Sequence, residues 1–231
     1  EFRHATRANI RDGVDLIKII ATGGVITEGS EPGAQAMADD ELDTVVEEAH
    51  RAGKPVASHA HGAGGIEAAV AAGVDTVEHC TYATGDSLAA MEDSDVGYVS
   101  TIVSTVVQTT EAAVADGVRE YVTEKATDAL EAQLETFHAA QDRDIPLVVG
   151  TDAGTPRNPH GGGAHEFEQF VKHGFDPADA LRAGTSVAAD VIGAAEDIGR
   201  IVPGAAADLV VLPGDPLADI THTQRPDMVF K

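Results

Sequence analysis

Five short apolar runs alternate with helix-like stretches over the first 150 residues, and that rhythm constrains the fold most. The runs cover residues 16–20, 55–59, 76–79, 97–103 and 145–149. Helical patterns lie between them at 39–52, closed by Gly53, at 64–72, closed by Gly73, at 87–91, and at 119–141. Strand, polar loop, helix and glycine in repetition predict βα units and a parallel sheet. Nearly continuous apolar strands fit a sheet covered on both faces. Right-handed crossovers then bring all strand C-termini to one side.

Four residues with metal-ligand chemistry fall at or near those ends: Lys18, His59, His79 and Asp152. Asp152 sits within Gly150-Thr151-Asp152-Ala153-Gly154, directly after the fifth run. Glycines on both sides allow a sharp turn and close approach of a ligand. Bland readings stand beside this one. Lys18 can snorkel to an edge or pair with an acid. His59, His61 and His79 can be hydrogen-bonded core histidines. Asp152 can cap the next segment. Arg157 and His160, in the turn-rich loop that follows, read first as solvated loop residues.

The chain carries 15 Lys and Arg against 39 Asp and Glu, a net charge of −24. Such a surface repels nucleic acid and anionic membranes. The acids are dispersed, which favours adaptation to high salt over an acidic tail made for a partner. No apolar run is long enough to span a bilayer. Cys80 is the one cysteine, so no internal disulfide forms, in keeping with a cytoplasmic protein. It reads as a small buried hydrophobe. The opening Glu1-Phe2-Arg3-His4 lacks methionine, and the expectation is that it is not the natural start.

Beyond Gly154 the pattern predicts helices at 165–173 and 177–192. The texture then changes to Gly199-Arg200-Ile201-Val202-Pro203-Gly204, a strand at 207–212 and another at 228–230. Residues 1–198 and 199–231 are therefore read as two units, the second a piece of a small β domain.

Five stretches resemble the amidohydrolase superfamily, in its imidazolonepropionase-like and prolidase-like branch. They are Ile17-Lys18-Ile19-Ile20-Ala21-Thr22-Gly23-Gly24, Ser58-His59-Ala60-His61-Gly62, Val77-Glu78-His79-Cys80, Gly150-Thr151-Asp152-Ala153-Gly154, and 199–204 with Ala207-Asp208-Leu209-Val210. The resemblance implies an α/β fold: the C-terminal part of a TIM (β/α)8 barrel, about strands 4–8, plus a fragment of a β-sandwich. It implies Lys18 as a carboxylated lysine, His59 and His79 as metal ligands, and Asp152 as ligand and general base. His61 is assigned to the substrate carbonyl, and Arg157 and His160 to substrate binding. The implied cofactors are a divalent metal, zinc by preference, and carbon dioxide as a carbamate on Lys18. Zinc takes such ligands, keeps a position open, and lowers the pKa of water towards about 7.

The implied activity is hydrolysis of an amide bond in a small substrate, a dipeptide or cyclic amide. No His-x-His precedes Lys18, and the expectation is a C-terminal fragment that lacks strands one to three of the family pattern. The alternatives are a non-catalytic remnant, or a subunit that needs a complementing N-terminal half. A homo-oligomer is the other partner expectation, and a phosphoester hydrolase on the same scaffold is a further functional one.

Overall fold

The computed structural model describes residues 1–231, apart from the side chains of Glu111 and Ala112. In chain order the elements are α1 (Phe2–Arg11), β1 (Ile17–Ile20), α2 (Asp39–Arg51), β2 (Val56–Gly62), α3 (Ala63–Ala72), β3 (Thr76–Tyr82), α4 (Gly85–Asp93) and β4 (Gly97–Ser100). They continue with α5 (Ile102–Gln108), α6 (Glu111–Ala115), α7 (Glu120–Gln141), β5 (Leu147–Val149), α8 (His165–Lys172), α9 (Pro177–Ala183) and α10 (Ser186–Val191). A two-stranded ribbon, β6 (Leu209–Val211) and β7 (Met228–Phe230), flanks a 3-10 turn at Ile220–Gln224. No helix among the described residues is long and apolar enough to cross a membrane.

Strands β1 to β5 form one parallel sheet in sequence order, as the βα rhythm predicts. Register aligns Ile20, His59, Glu78, Val99 and Val148 across it. In β1 the face carrying Ile17 and Ile19 is buried, whereas Lys18 and Ile20 on the other face are exposed. The sheet is thus covered on the Ile17 and Ile19 face of β1 and open on its Lys18 and Ile20 face. That departs from the expectation of strands buried on both faces.

The core collects around Phe137 of α7, which is fully buried and packs on Tyr98, Phe170 and Phe175. Aromatic edge and stack contacts of this kind add to the burial term. Helix α1, which the sequence reading missed, docks on α2 through Arg3 and Arg7, both bonded to the buried Glu48 carboxylate.

Three boundaries differ from the sequence reading. The run 97–103 is a strand only to Ser100, and Ile102 and Val103 begin α5. A β-branched apolar run has no periodicity that separates a strand from a buried helix. The segment 177–192 is two helices, α9 and α10. A Cβ on Gly184 would lie 2.4 Å from the Phe167 ring, and Thr185 leaves helical geometry at φ −129°, ψ −89°. Strands β2 and β3 run three residues further than expected, to Gly62 and Tyr82, which carries His61 into the sheet.

Beyond the parallel sheet, β6 and β7 pair as an antiparallel ribbon. Every residue in both strands is exposed.

Candidate metal centre

His59, His61 and His79 converge at the C-terminal ends of β2 and β3. Each offers a ring nitrogen, and these atoms lie no more than 4.8 Å apart. The His59 ring meets the other two edge-on, with centroids 4.6 Å away, while His61 and His79 stack at 4.7 Å. Alternation places His59 and His61 on the same face of β2.

His79 reaches that face by another route. Its Cα partner in the sheet is Ala60, which is fully buried on the opposite side. His79 and Cys80 both adopt positive φ, +75° and +49°, and the pairing slips between Ala60 and Gly62. A left-handed kink at two non-glycine residues is uncommon and costs of order 1–3 kcal/mol each. Here it swings the imidazole onto its two neighbours. Sequence alternation alone could not have shown this.

Each ring is held from behind. His61 Nδ1 lies 2.7 Å from the Thr81 hydroxyl, and His79 Nδ1 lies 2.7 Å from that of Thr101. His59 is tied to the Gly23 carbonyl, while its Nε2 is buried with no protein partner. Such outer contacts fix the tautomer and direct the remaining nitrogen at a metal.

Burial keeps all three rings neutral. It pushes His61 down to about 3, helped by His59. His79 lies well below the ordinary imidazole value, through burial first and then His61 and His59. His59 is lowered by burial and by the charge of Lys18. Neutral imidazole is the metal-binding form, so protons compete weakly here. Two nitrogens on one zinc at about 2.1 Å each are at most about 4.2 Å apart. Three nitrogens at tetrahedral angles come to about 3.4 Å apart, so the widest separation here, 4.8 Å, must close by roughly an ångström or more on an ion. The residues fit the group.

Asp152 lines the same cavity of about 230 Å³, together with the three histidines, Val25, Thr101, Ser104 and Gln108. It stands at positive φ, +49°, after Gly150, where a Cβ would meet Val99 at 2.3 Å. The Ser104 hydroxyl donates to its Oδ2 at 3.3 Å. Burial raises its pKa above the ordinary carboxyl value, and the Ser104 bond and Lys18 oppose the rise.

Lys18 lies on the open face of β1, with its Nζ paired to the Glu78 carboxylate. Its side chain is 42% exposed, that of Glu78 only 13%. It acts on His59, His79 and Asp152 through its charge. Glu78, adjacent to His79, went unnoticed in the sequence because it looks like any strand carboxylate.

Arg157 and His160 line an adjoining cleft that shares Thr155 with the histidine cavity. Arg157 is ion-paired with Asp116. The structure does not bring either residue against the three rings.

Comparison with known proteins agrees with this geometry. The amidohydrolase family model matches residues 1–231. The ochratoxinase of Aspergillus niger is 31% identical over 231 residues, covering 99% of this chain and 47% of that protein. A crystal structure of a Xaa-Pro dipeptidase with methionine bound in its active site superposes with a TM-score of 0.92 at 32% identity, covering 100% of this chain and 56% of that one. The A. niger ochratoxinase structure gives a TM-score of 0.87 at 30% identity, covering 100% and 52%. The chain thus spans about half the length of the relatives it matches. Its five-stranded parallel sheet corresponds to part of their fold. From the full-length match, and from three histidines gathered at strand ends, the chain belongs to the amidohydrolase family.

Proposed function

We propose that this chain carries the metal-binding and general-base side chains of a hydrolase that cleaves an amide bond in a small substrate, of the dipeptide or N-acyl amino acid class. The observation that carries the proposal is the neutral, back-bonded triad of His59, His61 and His79 beside Asp152 in one cavity. The family and its prolidase and ochratoxinase relatives support the bond type.

In this reading His59, His61 and His79 hold a divalent ion, zinc by preference. When bound, the ion polarises a carbonyl and acidifies water. Asp152 accepts the proton of the attacking water and returns it to the departing nitrogen. Its raised pKa brings it closer to neutrality, where a general base works best. Ser104 keeps one carboxylate oxygen fixed. Lys18 is anchored by Glu78 and sets the charge at the floor of the site. To become a carbamate Lys18 must leave Glu78, lose a proton to give the free amine, and add carbon dioxide with loss of a second proton, so a Glu78→Gln variant should ease carboxylation.

The test is hydrolysis of a panel of dipeptides, N-acyl amino acids and phosphotriesters with added zinc, comparing wild type with Asp152→Asn. General-base loss lowers kcat by about 10²–10⁴. Full activity in the variant removes Asp152 from the mechanism, and turnover of phosphotriesters alone moves the activity to phosphoesters.

A second reading, that the site works only with a complementing part, is favoured by the open face of β1. Ile20 is 50% exposed and Leu16 45%, and β1 and β5 are the sheet's edges. Unpaired edges and exposed apolar surface attract a partner strand. A chain that stays monomeric by light scattering and turns over substrate contradicts this reading.

A further inference from the structure

Thr101 is the N-cap residue of α5, and threonine there normally accepts a bond from the first turn. Its side chain makes no such bond. The hydroxyl is given to His79 Nδ1 instead. Another group must satisfy the first amides of α5, and that group is Glu166 of α8. Its Oε1 accepts from the Ile102 amide at 2.9 Å and its Oε2 from the Val103 amide at 2.7 Å. The Ser100 hydroxyl donates to Oε1 at 2.8 Å. Glu166 is fully buried and reaches these donors across more than sixty residues of sequence.

We propose that Glu166 is a positioning residue for the site. It caps α5 in place of Thr101, and so frees the Thr101 hydroxyl to orient His79. One carboxylate holds the Ser100 hydroxyl before Thr101 and two backbone amides after it. One turn further on, the same helix presents Ser104, which bonds Asp152. Glu166 therefore sets both sides of the cavity from a position outside it. Its contribution to metal binding rests on the reading of the histidine triad given above, but its contribution to His79 does not.

The test uses the whole chain with Glu166→Gln, which keeps size and one acceptor but cannot accept at both oxygens. Glu48→Gln, a buried carboxylate substitution at the α1–α2 contact, is the control for general destabilisation. Two readouts are taken. The first is the tautomer and shift of His79 by long-range ¹H–¹⁵N spectra in metal-free protein. The second is zinc affinity by competition with a chromophoric chelator. The expected result is a changed His79 tautomer balance and about tenfold weaker zinc binding in Glu166→Gln, with neither change in Glu48→Gln. Wild-type His79 signals in a folded Glu166→Gln protein overturn the proposal. If wild type binds no zinc, the metal reading fails while the His79 signals still decide the role of Glu166. Should Glu166→Gln not fold, Ser100→Ala, which removes one of the three donors, must change the His79 tautomer balance relative to wild type. An unshifted His79 there also overturns the proposal.

Discussion

Lowering the pH of the metal-free protein sets two buried groups of opposite sense against each other. His61 and His79 are held neutral, His61 down to about 3, whereas the ordinary imidazole value is 6.5. Their stabilisation is complete above 6.5 and is lost as the pH falls towards the folded values. At pH 5 His61, neutral in the fold but protonated in the unfolded chain, costs about 2 kcal/mol, and His79 acts in the same sense. Glu166 runs the other way. Burial raises it to about 7 from 4.5, against the bonds from Val103, Ser100 and Ile102. Its contribution is complete below 4.5 and is lost as the pH rises through 7. Between pH 8 and 5 its contribution grows by about 2–3 kcal/mol. The histidine loss and the glutamate gain therefore oppose each other in wild type, with a net loss over this range. His59, also lowered, adds to the loss. Glu166→Gln should lose about 2–3 kcal/mol more than wild type over the same range, and His61→Asn/His79→Asn should gain stability instead. The assay is urea unfolding with EDTA in molar KCl, which screens the −24 surface. Equal pH dependence in wild type and Glu166→Gln, or no reversal of sign in the double histidine variant, refutes the reasoning.

Further outcomes are open to direct measurement. Gly150→Ala forces a Cβ to within 2.3 Å of Val99, and should cost about 1–3 kcal/mol by urea unfolding. Phe137→Ala empties the centre of the aromatic cluster and should cost about 3–5 kcal/mol, with a fall in the unfolding midpoint at unchanged slope. The dispersed acidic surface should make the melting temperature rise from low salt to molar KCl, and a flat profile contradicts the high-salt reading. Lys125 bonds the Thr27 and Ser30 carbonyls, beside a cavity wall formed by Val25, Ile26 and Thr27. Lys125→Ala should therefore speed amide exchange at 25–30 without lowering global stability.

The βα rhythm was legible because apolar runs and closing glycines are local signals. Where long-range contacts decided, the sequence was silent. Ile102 and Val103 look like strand residues until Glu166, far away in the chain, takes their amides. Helix α1 packs Ile10 on the core and pairs Arg3 and Arg7 with Glu48, and it is too short and too rich in arginine to stand out among the apolar runs. Within the site, His59 and His79 stood out at strand ends, but the part His61 plays in the cluster emerged only once β2 extended to Gly62. His79 by strict alternation belongs to the wrong face, and only its left-handed backbone corrects this. The expected positions of Arg157 and His160 depended on how a turn-rich loop folds back, which no periodicity encodes.

Zinc titration of the wild-type chain and of His59→Ala, His61→Ala and His79→Ala, at pH 7.5 against a competing chelator, tests the central claim most directly. The account predicts one saturable site, with each substitution weakening it tenfold or more. Absence of saturable binding, or affinity unchanged in all three variants, contradicts it.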